Sequence, residues 1–135
     1  MINYIKKNKG KFVYLPLAIY WLILFIATSL PAEYVPSVGV GDKYKHFFAY
    51  LGLGFLLYYA FSFQEKYLLL KKYPFIMAVI IASVYGIFDE LHQLFIPGRS
   101  AEFLDWLADF FGAFTGVLIA RFIYIRFRTE TEDID

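Results

Sequence analysis

The chain has 135 residues, 60% hydrophobic and 22% aromatic, with a mean hydropathy of +0.55. Soluble domains carry roughly 45–50% apolar residues, so this composition excludes a disordered chain, a collagen-like repeat and a water-soluble fold. A net charge of +1 leaves no footprint for nucleic acid, and the absence of cysteine excludes disulfides, thiolate metal sites and cysteine nucleophiles.

Four segments suit a bilayer, which takes about 20 mostly apolar residues per helix. Residues 12–30 carry no charge, and a basic stretch with Lys6, Lys7, Lys9 and Lys11 precedes them. Ala27-Thr28-Ser29 resembles a signal cleavage site, but the apolar stretch exceeds the roughly 7–15 residues of a signal core, so a retained helix is predicted. A loop with Pro31, Pro36, Gly39 and Gly41 leads to a second helix over about 44–63. A charged, aromatic connection follows, then a third helix over about 74–95. Pro97-Gly98 ends that helix and Ser100 is the expected cap of a fourth, over about 102–125. The last two helices then form an antiparallel hairpin. Residues 129–135 are a short acidic tail, expected to fray. The predicted fold class is all-α: a polytopic membrane protein with four transmembrane helices in an antiparallel bundle, one domain over residues 1–128.

Orientation follows from lysine and arginine. With the N-terminus inside, ten of the 13 basic residues are internal, and Lys43, Lys45 and Arg99 are external. Both termini are therefore predicted in the cytoplasm. The same topology puts seven of the 12 acids outside, namely Glu33, Asp42, Asp89, Glu90, Glu102, Asp105 and Asp109, with both His46 and His92. A charge at membrane depth costs about 2.5–3.5 kcal/mol on insertion scales, so acids at helix ends point to a built site.

Helical geometry tests whether these groups meet. Glu102, Asp105, Asp109, Gly112 and Gly116 fall on one face about 80° wide. The glycine pair is a small-xxx-small pattern that lets a neighbouring backbone approach. Asp89, Glu90 and Gln93 share a face of the third helix with Ala82, Tyr85 and Gly86, and Gly86 leaves room beside it. On the second helix Asp42 and His46 are an i, i+4 pair, Tyr50 lies one turn deeper, and Asp42 can cap the N-terminus. Arg99 is expected to pair with Glu102 or Asp105, His46 with Asp42, and His92 with Asp89 or a helix interface.

Gly41-Asp42-Lys43-Tyr44-Lys45-His46-Phe47, then Asp89-Glu90-Leu91-His92-Gln93-Leu94-Phe95-Ile96-Pro97-Gly98-Arg99-Ser100, then Asp105 with Gly112 and Gly116, resemble the VanZ-like family. These are small bacterial membrane proteins, and the named member is linked to low-level resistance to teicoplanin, a lipid-tailed glycopeptide. The family often has Asn where this chain has Asp109. The resemblance implies a bacterial cytoplasmic-membrane protein acting at the outer face on the cell envelope.

Two uses of the polar residues are open. One is an internal ion-pair network that fixes helix register. The other is ligand binding through Asp42, Lys43, His46, Asp89, Glu90, Gln93, Arg99, Ser100, Asp105 and Asp109. The ligand would be amphipathic and lipid-tailed: an antibiotic or a lipid-linked envelope precursor in the membrane. An enzyme would use His46, Glu90 or Asp105 as general base. No cofactor is expected; a divalent metal is a minor alternative that would recruit Asp42, His46 and Glu90, with Asp105 as a further ligand, and no marked metal motif is present. A non-catalytic scaffold beside a partner or in an oligomer is the remaining class. A transport path is disfavoured because the inner halves of the helices are plainly apolar.

Overall fold

The computed structural model describes residues 2–34 and 41–132. Pro36 and Gly39 of the first loop, and tail residues 133–135, lie outside the described residues. The elements in chain order are α1 (Ile2–Lys7), a π-helical turn (Gly10–Tyr14), α2 (Leu15–Thr28), a 3₁₀ turn (Ala32–Tyr34), α3 (Gly41–Phe63), α4 (Leu68–Lys72), α5 (Pro74–Gln93) and α6 (Phe103–Glu132). Among the described residues there is no strand. Among the same residues, four stretches are long and apolar enough to cross a membrane: Gly10–Thr28, Gly41–Phe63, Pro74–Gln93 and Phe103–Phe127.

The interior of the bundle is small and the exterior apolar. Leu53, Ala78, Ala82, Ala113, Val117 and Ala120 are fully buried, while Ile23, Phe48, Phe88, Phe111 and Phe122 stand outward. An apolar exterior suits a solvent of lipid tails, which gives no reward for hiding leucine. Contact between helices must therefore come from close packing. The α3–α6 pair supplies most of it. A Cβ on Gly112 would meet the Phe47 carbonyl, one on Gly116 the Leu51 carbonyl, and one on Gly54 the Ala113 carbonyl. The backbones thus touch along a seam of glycine and alanine, as the small-residue spacing on α6 predicts.

Next to this seam α5 packs on both helices. Trp106 Nε1 donates to the Ser83 carbonyl at 3.1 Å. α2 is peripheral and touches α3 and α5 through aromatic residues: Tyr20 OH donates to the Ala49 carbonyl at 2.8 Å, and Trp21 meets Tyr85 edge-on at 5.1 Å. The Pro97-Gly98 turn folds back on the end of α2, with Ala32 N–H donating to the Pro97 carbonyl at 3.2 Å. Gly98 has φ of 75°, which favours glycine.

Several boundaries differ from the sequence reading. The fourth helix runs to Glu132, so the acidic tail continues the helix as far as it is described. Helix α6 begins at Phe103, which makes Glu102 its cap position and leaves Ser100 exposed two residues earlier. Asp42 lies inside the first turn of α3, where its charge opposes the helix dipole favourably.

Candidate functional site

The C-terminal ends of α2 and α5 meet the N-terminal ends of α3 and α6. His46 comes from the first two turns of α3, Asp89, Glu90 and Gln93 from the end of α5, and Asp105 and Asp109 from the start of α6. All six are buried, and Asp109 is 0% exposed. In a bundle with an apolar exterior, polar residues gain nothing from the outside and collect where they can satisfy one another. The narrow α3–α6 seam brings His46 and Asp109 to the same depth.

At the centre, His46 Nδ1 lies 2.9 Å from Asp109 Oδ1 and 4.0 Å from Glu90 Oε1. With Asp109 ionised, the short contact puts the proton on Nδ1 and leaves Nε2 for other partners. Glu90 Oε2 accepts the Glu102 backbone N–H at 2.7 Å. This carboxylate therefore satisfies an otherwise unpaired donor at the start of α6. Above it, Lys43 Nζ donates to Asp105 Oδ1 at 2.9 Å and to Glu102 Oε2 at 3.1 Å. Lys45 pairs with Asp42 at 3.4 Å. Among the described residues, Glu90 Oε1, Asp109 Oδ2, Asp89 Oδ2 and the Tyr50 hydroxyl have no hydrogen-bond partner. A Cβ on Gly86 would stand 3.2 Å from Asp109 Oδ2, so the bare glycine lets that carboxylate reach α5.

A cavity of about 130 Å³ opens beside this cluster. Asp42, Lys45, His46, Asp89, Gln93 and Arg99 give it polar walls, and Leu24, Ala27 and Ala49 line the rest, with Thr28 and Tyr50. A separate, shallow apolar cleft of about 380 Å³ runs between α5 and α6 past Ile87, Glu90, Leu91, Phe103 and Trp106. Glu90 lines this groove and not the polar cavity, and it approaches the cavity wall only through His46.

The structure brings together most of the predicted site and corrects several pairings. Arg99 forms no ion pair among the described residues. Its Nε donates to the Leu30 carbonyl at 3.3 Å, and Lys43 takes the two carboxylates expected of it. The hydrogen bond expected between His46 and Asp42 goes to Asp109, because the neighbouring helix is closer to Nδ1 than the preceding turn is. His92 takes the second of its two expected places, a helix interface: it faces α2, where Nε2 lies 3.1 Å from Ser29 Oγ and the ring stacks on Phe25 at 5.4 Å. Asp42, His46 and Glu90 do not form one metal-ligating set. Donor atoms within 4.8 Å of one another instead define Asp42–His46–Asp105 and His46–Glu90–Asp109. Ser100 and Glu33 are exposed and outside the cluster. The contributions of Ser29 and Leu30 were missed. Their only sequence signal is a polar end to an otherwise apolar helix.

Four apolar spans with acids and a histidine enclosed at one end define a multi-pass membrane protein with a buried polar site. The VanZ/LLP1 family model matches residues 6–124, and the chain belongs to that family. No curated protein and no solved structure matches it.

Proposed function

We propose that the chain acts at the outer face of a bacterial cytoplasmic membrane by binding the polar head of an amphipathic, lipid-tailed ligand. The observation that carries this reading is the two-sided lining of the 130 Å³ cavity. That volume is well below the roughly 300–1,000 Å³ of a cleft for a drug-sized ligand. It suits a headgroup whose tail stays in the bilayer. The Arg99 guanidinium keeps N–H donors beyond the one given to Leu30, and a guanidinium fork matches phosphate or carboxylate. The family's link to teicoplanin points to a lipid-tailed antibiotic or a lipid-linked envelope precursor as the ligand, with resistance as one phenotype.

A second reading, an enzyme acting on such a lipid, draws on the His46–Asp109 contact. A carboxylate that fixes one ring nitrogen leaves the other as an oriented base, and His46 lines the cavity.

The test uses teicoplanin susceptibility and extracted envelope lipids in a bacterium expressing the chain. Arg99→Gln and His46→Gln, both in the cavity wall, should abolish the phenotype while membrane abundance and melting temperature in detergent stay near wild type. Activity that falls only as far as abundance falls, or is unchanged in both variants, rejects binding and catalysis and leaves a scaffold. An altered lipid profile that vanishes with His46→Gln selects the enzyme.

A further inference from the structure

We propose that His46, Glu90 and Asp109 form a binding site for one divalent transition-metal ion of the zinc or manganese kind, set between α3, α5 and α6. One donor atom from each residue lies within 4.8 Å of the other two. Ligands about 2.0–2.2 Å from an ion stand about 2.9 Å apart at a right angle and about 4.2 Å apart in opposition. The distances from His46 Nδ1, 2.9 Å to Asp109 and 4.0 Å to Glu90, fall in that interval.

The orphaned oxygens are an independent observation. Glu90 is 6% exposed and Asp109 is 0% exposed, and each keeps one carboxylate oxygen without a hydrogen-bond partner. The orphan on Glu90 is Oε1, the atom directed at His46. Its partner oxygen is held by the Glu102 N–H, so the free atom is fixed in direction. An outer contact of this kind is what orients ligands in built metal sites. A buried unpaired carboxylate is costly, and a dication between Glu90 and Asp109 balances their two charges while displacing the Nδ1 proton of the metal-free state, so that His46 ligates through Nδ1 as a neutral ring protonated on Nε2.

Donor chemistry selects the class of ion. Calcium and magnesium prefer oxygen alone, whereas an imidazole with two carboxylates suits zinc, manganese or iron. Charge also selects between the two candidate sets. Asp105 and Asp42 are already met by Lys43 and Lys45, at 2.9 and 3.4 Å. Glu90 and Asp109 have no lysine or arginine ion pair among the described residues. The metal site does not depend on the headgroup reading, because its donors are complete within the bundle and only His46 is shared with the cavity wall.

The experiment is metal analysis of the full chain in detergent, freed of any histidine tag, stripped with chelator, equilibrated with Zn²⁺ or Mn²⁺ and desalted. Wild type should retain about one ion per chain, with His46→Gln, Glu90→Gln and Asp109→Asn weakening affinity by about tenfold or more, the scale seen even for lost supporting contacts. His92→Gln should retain the ion, since this second histidine serves the α2–α5 contact. A measurement free of variants guards against misfolding: Co²⁺ added to wild type should give visible d–d absorption that Zn²⁺ displaces. Wild type that holds neither ion and shows no cobalt band overturns the proposal and leaves protons as the neutralising charge. So does an ion kept by Glu90→Gln and Asp109→Asn, or one lost equally in His92→Gln. An ion that leaves with Asp42→Asn but stays with Glu90→Gln places the site on the other set and also overturns it. None of these readouts involves a lipid, so a failed headgroup assay and a failed metal assay remain separate results.

Discussion

His46 meets both Asp109 and Glu90 through Nδ1, and Asp109 is the acceptor within hydrogen-bond distance. Asp109→Asn keeps an acceptor oxygen at Nδ1 and nearly the same volume, so the bundle should melt within about 1 kcal/mol of wild type, the scale of one net hydrogen bond. Asp109→Ala removes the acceptor and strands a buried donor, which should lower stability by about 1–3 kcal/mol. Thermal unfolding in detergent reads both, and equal loss in the two variants would remove the acceptor role assigned to Asp109. Much at this scale was legible before the structure. The face shared by Asp105 and Asp109, and the other shared by Asp89, Glu90 and Gln93, follow from helical angles alone. The pairings do not follow. Angles place a side chain around its own axis, but a hydrogen bond also needs the axial offset between two helices. That offset is set by glycine contacts between α3 and α6, which is why Lys43 reaches Asp105 while Arg99 turns to Leu30.

The helices hold this register through backbone contact, so their glycines are the sensitive positions. At Gly112 and Gly116 an added methyl meets α3 backbone, which cannot swing aside as a side chain can. Gly112→Ala and Gly116→Ala should each lower stability by about 1–3 kcal/mol, as overpacking does, and should reduce the phenotype by shifting Asp109 from His46. At Gly10 nothing lies within 4 Å of the added atom. Gly10→Ala should leave the melting temperature unchanged or raised, and an equal loss at all three positions would reject the seam. Helix number and approximate spans were readable from uncharged runs, whereas the π turn before α2 was not. Pro16 explains it. A proline ring clashes with the carbonyl four residues back, here that of Phe12, and a widened turn over Gly10–Tyr14 relieves it, with the Leu15 N–H donating to the Gly10 carbonyl. Hydrophobic periodicity carries no mark of such a widening. The preceding residue, Lys9, ties the N-terminal segment to Glu65 at 3.0 Å and holds that carboxyl below the usual carboxylate range. A depressed folded value means the tie contributes above the ordinary range and is lost as pH falls through the lowered one. Spin labels at Asn8 and Lys66 should therefore show a broader distance distribution in acid, and also in high salt because Glu65 is 71% exposed.

Across the whole molecule, apolar residues outside and carboxylates within mark lipid as the solvent. The two ends of the bundle differ in a way that predicts an orientation. One end encloses Asp89, Glu90, Asp105 and Asp109, with Lys43 bound among them. The other carries Lys6, Lys7, Lys9, Lys11, Lys66, Lys71, Lys72, Arg121 and Arg126. Positive charges near helix ends stay on the cytoplasmic side, while acids contribute little to orientation. The polar site should therefore face outward and both termini inward. The native chain has no cysteine, so single cysteines report cleanly. Glu33 and Ser100 are exposed at the site end and Lys66 is exposed at the opposite end, whereas Gln64 beside it is buried and would be protected on either side. With an impermeant thiol reagent on intact cells, cysteines at Glu33 and Ser100 should react and one at Lys66 should react only after the membrane is opened. The reverse pattern would put the buried cluster in the cytoplasm, where a ligand of the outer envelope could not reach it. That result would reject the proposed place of action but leave the metal site between α3, α5 and α6 intact, because its three donors do not depend on which side of the membrane they face.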